Sequence, residues 1–298
     1  MTRPADGLRL ATRGSRLALW QAEWVARALG GDVELVIVDT VGDRRVDVPL
    51  SAIGGQGVFV KEVQAAVLDG RTDAAVHSAK DLPGLTEPGL CLAGIGERDD
   101  PRDALVGATL EAIPRGGVVA TGSARRRALI ADRRPDVTFA DLRGNILTRL
   151  DKAGGFDAIV MAVAALRRLG LDDRVAEALD PTVFVPQVGQ GAIAVECRAD
   201  DHATIARLAA TVDHGPTRRA VTAERAFLAT LGGGCTLPVG AHATVAPDGE
   251  VTLRAVLATA DERTCLRRTV RGRDPDDLGA TVADQLAADV ARLDPGRG

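Results

Sequence analysis

The chain has 298 residues, too many for one ordinary hydrophobic core, so two or three domains are expected. Hydrophobic residues make up 46% and charged residues 26%, the balance of a soluble globular protein, which excludes a disordered chain. The net charge of −4 leaves no overall basic field, which argues against non-specific nucleic-acid binding.

The first half alternates strands and helices. Residues 8–12 read as a buried strand. Gly14-Ser15 then opens a helix through about Leu29, with Ser15 as N-cap and Leu17, Trp20, Trp24, Val25 and Leu29 at helical spacing. Residues 33–38 are a β-branched strand, 40–57 a glycine-punctuated loop and 58–68 a helix. Residues 74–77 form a strand ending in Ser78-Ala79-Lys80-Asp81-Leu82-Pro83, and 90–95 form another. Residues 97–103 are charged and split by Pro101, which reads as a linker and domain boundary.

The alternation then restarts. Strands are expected at 118–120, 137–140, 157–162 and 192–197, with helices at 123–133, 145–153 and 165–169 and an irregular glycine-rich stretch at 186–191. Such alternation predicts parallel sheets with right-handed crossovers, and ligands at the carboxyl ends of their strands. The last third differs. A helix from Pro216 leads to Leu231, followed by strands at 239–245, 251–257 and 265–270 and a closing helix at 276–293. These make a separate α+β unit with an antiparallel sheet. No run approaches the ~18 apolar residues of a membrane span. Nothing at the N-terminus has signal-peptide character.

Arginines gather at strand-to-helix junctions. Arg13 precedes Ser15; Thr121-Gly122-Ser123 precedes Arg125 and Arg126; Arg143-Gly144-Asn145 is followed by Arg149. Each alone is an ordinary solvated charge. Together they suit a ligand with many negative charges, because helix N-termini and guanidinium forks both favour carboxylates. Lys80-Asp81 is either an exposed ion pair or a cleft carboxylate able to hold N–H groups, pass a proton or stabilise a cation. His77 is read as a support for its strand. Lysine occurs only at Lys61, Lys80 and Lys152, which makes Lys80 informative in an arginine-rich chain.

Cys91, Cys197, Cys235 and Cys265 are far apart in sequence, so neither a zinc site nor a disulfide framework is expected, and a reducing cytosol fits. Three are read as small buried hydrophobes. Cys235 follows Gly232-Gly233-Gly234 and precedes Pro238, so it belongs on a loop with room beside its sulfur. It suits a nucleophile or a permanently modified anchor, and the second needs no base at every turnover.

Taken in order, these motifs resemble the porphobilinogen deaminase (hydroxymethylbilane synthase) family. The likeness runs through Ala11-Thr12-Arg13-Gly14-Ser15 with Leu17-Ala18-Leu19-Trp20-Gln21-Ala22, Gly57-Val58-Phe59-Val60-Lys61-Glu62 and Ala75-Val76-His77-Ser78-Ala79-Lys80-Asp81. It continues through residues 97–103, Leu142-Arg143-Gly144-Asn145, Val188-Gly189-Gln190-Gly191 and Gly233-Gly234-Cys235. The resemblance implies an α/β fold: two lobes like those of periplasmic binding proteins and a small α+β domain with a three-stranded antiparallel sheet. The expected division is residues 1–97 with 192–212, residues 98–191, and residues 213–298.

It also implies a transferase that joins four porphobilinogen molecules head to tail, with loss of ammonia, on a dipyrromethane cofactor held by a thioether to Cys235. Asp81 would be catalytic. Lys80, Ser123, Arg125, Arg126, Arg143 and Gly144 would hold the cofactor. Arg13, Ser15, Arg149 and Arg168 would bind substrate, and Phe59 would sit in a lid. A cytoplasmic monomer without metal, nucleic acid or membrane follows from the same likeness. The chain departs from the family at Gly122, Ala79 and Gly232, which removes a hydroxyl, a larger apolar side chain and a polar residue respectively. The competing reading is a two-lobed anion-binding or sensor module. It explains the arginines but not the glycine-flanked Cys235. A cysteine hydrolase would need a histidine beside that sulfur.

Overall fold

The computed structural model describes residues 7–40, 60–232, 238–259 and 261–293. The first sheet contains β1 (Leu8–Thr12), β2 (Val33–Ile37), β3 (Ala74–Ser78) and β4 (Leu90–Ile95), together with β10 (Ile193–Arg198), in the order β2-β1-β3-β10-β4. The second contains β5 (Asp103–Val106), β6 (Val118–Ala120), β7 (Thr138–Ala140), β8 (Ala158–Ala162) and β9 (Glu177–Ala178), in the order β7-β6-β8-β5-β9. A third sheet orders β11 (Val239–Val245), β12 (Val251–Ala258) and β13 (Cys265–Gly272) as an antiparallel meander.

The alternation of strands and helices predicts parallel sheets, yet both large sheets are mixed. β1 runs parallel to β2 and β3, but β10 is antiparallel to β3 and β4. Likewise β6 is parallel to β7 and β8, while β5 is antiparallel to β8 and β9. The cause is the path of the chain. β5 is the first strand after the chain crosses from the first sheet, and β10 is the first strand after it crosses back. Each enters its sheet from the crossing side, so it runs against its neighbours. The two lobes thereby share one topology, with the crossing strand fourth in each.

The crossings lie side by side. Gly96 N donates to Ile193 O at 2.9 Å and Asp99 N to Gly191 O at 3.1 Å. Gly191 has φ +88°. A Cβ there would lie 2.5 Å from Asp99 O, so only glycine fits this approach. The expected linker at 97–103 is therefore an ordered extended segment, and its last residue, Asp103, is buried at the start of β5.

Helix Arg16–Leu29 packs its Gln21, Ala22, Val25 and Leu29 face on the first sheet, and Ser15 Oγ accepts from Ala18 N as its cap. The sequence reading omits helix His202–Thr211, which Asp201 caps through Thr204 N and whose Leu208 is fully buried. Helices Gly215–Thr230 and Pro275–Leu293 cover one face of the third sheet, burying Phe227, Val282 and Leu286 with Leu253 and Ala255. No helix among the described residues is long and apolar enough to cross a membrane.

Candidate active site

The ends of β3 and β8 meet between the two lobes, where Ser78, Lys80 and Ala162 line one small cavity. A short 3-10 turn, Ala79–Asp81, follows β3 directly, so Lys80 and Asp81 leave the sheet edge together. Gln187 Nε2 donates to Lys80 O at 3.0 Å, which ties this turn to the irregular segment by which the chain returns to the first lobe. Asp81 is half-buried, and its carboxylate makes no hydrogen bond or ion pair among the described residues. A small cavity between the lobes is lined by Leu17, Gln21, Ser78 and Lys80 from the first lobe and by Ala165 and Arg168 from the second.

The second lobe contributes arginines from two helix starts. Asn145 caps helix Ile146–Asp151 through Thr148 N. Gly144 before it has φ +116°, and a Cβ there would lie 2.7 Å from Thr148 Cγ2, so the turn requires glycine. Arg149 Nε donates to Gly144 O at 2.8 Å, which aims the guanidinium back over the turn. The Arg143 side chain makes no hydrogen bond or ion pair among the described residues.

These groups share one electrostatic field. Burial, then Arg126, lowers the Lys80 ammonium to about 8; Asp81 and Asp103 oppose the shift and Arg149 adds to it. Burial, then Arg126 and Arg143, lowers Arg149 to about 10, with Asp81 opposing. Lys80, Asp81, Arg126, Arg143 and Arg149 therefore form one cluster across the two lobes with a surplus of positive charge. Such a surplus at half-buried and buried positions fits a ligand that brings its own carboxylates.

Arg125 and Arg126 are placed differently from the sequence expectation of free anion donors. Ser123 caps their helix through Arg126 N. Arg125 Nη1 donates to Asp103 Oδ2 at 2.7 Å and to Val185 O at 2.8 Å. Arg126 donates to Asp103 Oδ1 through Nε at 3.0 Å and Nη2 at 2.7 Å, and through Nη1 to Val160 O. Burial pushes the Asp103 carboxyl up, but the two guanidiniums outweigh it and hold the group well below the usual carboxylate range. Arg125 Nε and Nη2 remain buried without a hydrogen-bond partner. Two arginines share one carboxylate, so a positive charge is left over for an incoming anion.

Arg168 also has internal partners. Its Nη2 donates to Gly191 O at 2.6 Å, its Nε lies 3.6 Å from Asp99 Oδ2, and its Cζ stands 5.5 Å from the Trp20 ring centroid. It sits at the junction of hinge and cavity. Arg13 and Ser15 occupy the β1-to-helix turn, and the Ser15 oxygen is engaged as a cap. Phe59 and Cys235 lie outside the described residues.

Sequence reasoning misses the residues that hold these groups in place. Gln21 and Ser78 hydrogen-bond across the cavity edge at 2.8 Å. Gln190 Nε2 bridges Pro101 O and Asp103 Oδ1. Glu224 is fully buried and binds Arg98, Gly189 N and Ala243 N. A buried carboxylate must find donors, but helix 215–230 also carries Arg218, Arg219 and Arg225, so in the sequence Glu224 reads as an ordinary partner of a neighbouring arginine.

Residues 8–206 match the model of the porphobilinogen deaminase dipyromethane cofactor binding domain, and residues 218–288 match that of the porphobilinogen deaminase C-terminal domain. A curated porphobilinogen deaminase of Brevibacillus brevis is 45% identical over 293 residues, spanning 95% of this chain and 94% of that protein. Among solved structures, a Salmonella typhimurium periplasmic binding protein with high arginine specificity is 12% identical. It covers 70% of this chain and 92% of its own, with a TM-score of 0.37. YhfZ from Shigella flexneri is 20% identical, with coverages of 76% and 96% and a TM-score of 0.36. Neither score carries an argument. With both family models matched in order and the Brevibacillus relative spanning nearly the whole chain, the chain belongs to the porphobilinogen deaminase family.

Proposed function

We propose a residue-level account of the reaction this enzyme carries out in tetrapyrrole biosynthesis. Four porphobilinogen molecules are joined head to tail on a dipyrromethane cofactor, each losing ammonia, and hydroxymethylbilane is released. The observation that carries the account is Asp81: a half-buried carboxylate without a hydrogen-bond partner among the described residues, facing a surplus of cations.

Each pyrrole carries two carboxylates, so cofactor and growing chain need spread cationic partners. Lys80, Arg143, Gly144, Arg149 and the partly unpaired Arg125 supply them, with Arg126 adding charge and Ser123 a hydroxyl. When bound, the dipyrromethane supplies the nucleophilic pyrrole carbon on which the chain is extended. Asp81 accepts N–H donors from the incoming substrate and stabilises the positive charge that develops as ammonia leaves. Such help is strongest when the carboxylate is fixed in advance and water is scarce. As the carbon–carbon bond forms, the attacked pyrrole carbon gives up its proton, which the Asp81 carboxylate can accept. Arg13, Ser15 and Arg168 bind substrate carboxylates, and Phe59 belongs to a lid.

Cys235 is the thioether anchor in this account. The described strand that follows it supports the assignment. A Cβ at Gly240 would lie 2.6 Å from Val185 O and 3.0 Å from Arg125 Cδ, so the chain after residue 238 starts beside the second-lobe arginines. The three units are residues 1–97 with 192–212, residues 98–191 and residues 213–298. The enzyme acts as a cytoplasmic monomer on a small molecule, binding neither nucleic acid nor membrane. The alternative, an anion-binding or sensor module without catalysis, is not favoured by family membership.

Intact-mass spectrometry of protein made with porphobilinogen available tests the account. The expected mass exceeds the bare chain by two pyrrole units, the protein turns pink with Ehrlich's reagent, and Cys235→Ser abolishes both signals. A bare-chain mass in fully active protein would overturn it.

A further inference from the structure

Cys91 and Cys197 are separated by 106 positions in sequence but face each other directly across the β4–β10 pair. Their Sγ atoms lie 3.8 Å apart. Both thiols sit near one acceptor, Arg198 O, at 4.0 Å from Cys91 and 3.5 Å from Cys197. Cys197 is fully buried and Cys91 is half-buried. The two differ in role as well as in position. Burial, reinforced by Cys91, pushes the Cys197 thiol up to about 12, so Cys91 is the one that meets a reagent first. Cys265 is half-buried on the third sheet, without a sulfur neighbour among the described cysteines.

We propose that Cys91 and Cys197 are an oxidation site, at which a small-molecule disulfide converts the two thiols into a reversible intramolecular disulfide. Cys91 attacks one sulfur of the small disulfide as its thiolate, and the other half leaves as a thiolate. Cys197 then attacks Cys91 Sγ, gives up its proton and expels the second half as a thiol. Two protein thiols and one small disulfide become one protein disulfide and two small thiols. The sulfurs must close from 3.8 Å to about 2.05 Å, a movement within reach of side-chain rotation plus slight tightening of the strands. Directly opposed strand residues hold their Cβ atoms about 4.5–5.5 Å apart, wider than the roughly 3.8 Å of a relaxed bridge. The bond is therefore strained and of the labile, reducible kind.

Its position gives it a consequence. The chain between the two cysteines contains every strand of the second lobe, β5 to β9. The bridge would close a loop around that whole lobe, joining the strand by which the chain leaves the first lobe to the one by which it returns. At the other end of β10, Ile193 pairs with Ser78, beside Lys80 and Asp81. Four residues of strand, roughly 13 Å, separate that end from Cys197, so the cleft is left intact.

The test uses the cofactor-loaded enzyme treated with oxidised glutathione. The expected product is a monomer that has lost two hydrogens and two alkylatable thiols. Dithiothreitol should reverse it, and a non-reduced peptide map should join Cys91 to Cys197. It should keep its turnover, because the bridge leaves the cleft untouched. Cys197→Ala should instead trap one glutathione on Cys91, and Cys91→Ser should take up none. Both thiols remaining alkylatable, a bridge between other cysteines, or cross-linked dimers would each overturn the proposal.

Discussion

Arg126 reaches Asp103 through two nitrogens, Nη2 at 2.7 Å and Nε at 3.0 Å, and both side chains are buried. Arg125 takes the second oxygen of the same carboxylate at 2.7 Å. This triad joins the hinge to the helix that carries the second-lobe arginines. Removing one partner of a buried pair leaves charge without compensation, which typically costs about 3–5 kcal/mol. Asp103→Asn is therefore expected to lower stability by roughly that amount in urea titration. The pH dependence follows from the same contact. The folded-state pKa is depressed, so the contribution is fully present above the unfolded value of about 3.9 and drains away as pH falls below it. Acid unfolding of the wild type should begin near that point. The variant should lose less stability over the same range, and an unchanged acid limb would sink the assignment.

Asp81→Asn keeps the side chain's shape and removes its charge. If the carboxylate stabilises developing positive charge, turnover should fall by about 10²–10³-fold. The cofactor should stay attached, with an unchanged Ehrlich colour per mole of protein. Product formation under single-turnover conditions separates this step from release. A variant within threefold of wild type would remove Asp81 from the chemistry.

Lys80 offers a titration with a direct readout. In a Cys235→Ser chain lacking the cofactor, burial and Arg126 should give the ammonium a midpoint near 8. Competitive acetylation read by mass spectrometry should report that midpoint for Lys80. Because the folded pKa lies below the unfolded one, charged Lys80 costs stability below pH 8. That cost is relieved as pH rises from about 8 towards 10. Bound carboxylates favour the ammonium, so the cofactor-loaded enzyme should show a higher midpoint. Equal midpoints in the two forms would count against a cofactor contact.

Much of this molecule is legible in its amino-acid sequence. The apolar runs at 8–12, 74–77, 90–95 and 192–197 are strands, and Ser15 is a cap, because strand burial and helix capping are local properties. Strand direction is not legible in this way. β5 and β10 run antiparallel because the chain crosses between lobes, and no local pattern records that route. Asp103 reads as one more linker charge; only the fold brings it to Arg125 and Arg126, 22 and 23 residues on. The two-residue strand β9 is too short for a periodic signal, whereas helix His202–Thr211 does carry one in Ile205, Leu208 and Val212. Cys91 and Cys197 meet because register on two neighbouring strands puts them opposite each other, which sequence distance hides.

Glu224 joins the three sheet-bearing parts. Its carboxylate accepts from Arg98 Nη1 at 2.7 Å and Nη2 at 2.9 Å on the outgoing connection, and from Gly189 N at 2.7 Å on the returning one. Ala243 N on β11 donates at 2.7 Å. Four donors on one buried carboxylate balance its desolvation, and each loses its charged acceptor in Glu224→Gln. The amide cannot serve four donors, because one end of it donates. Stability is expected to fall by about 3–5 kcal/mol, as for other broken buried pairs. The stronger expectation concerns cooperativity. With this joint gone, the third sheet and its two helices should unfold apart from the lobes, splitting one calorimetric transition into two. Arg98→Lys keeps a charge but loses the bidentate fork, so it should fall between wild type and Glu224→Gln. A single, unshifted transition in Glu224→Gln would show that other contacts couple the parts.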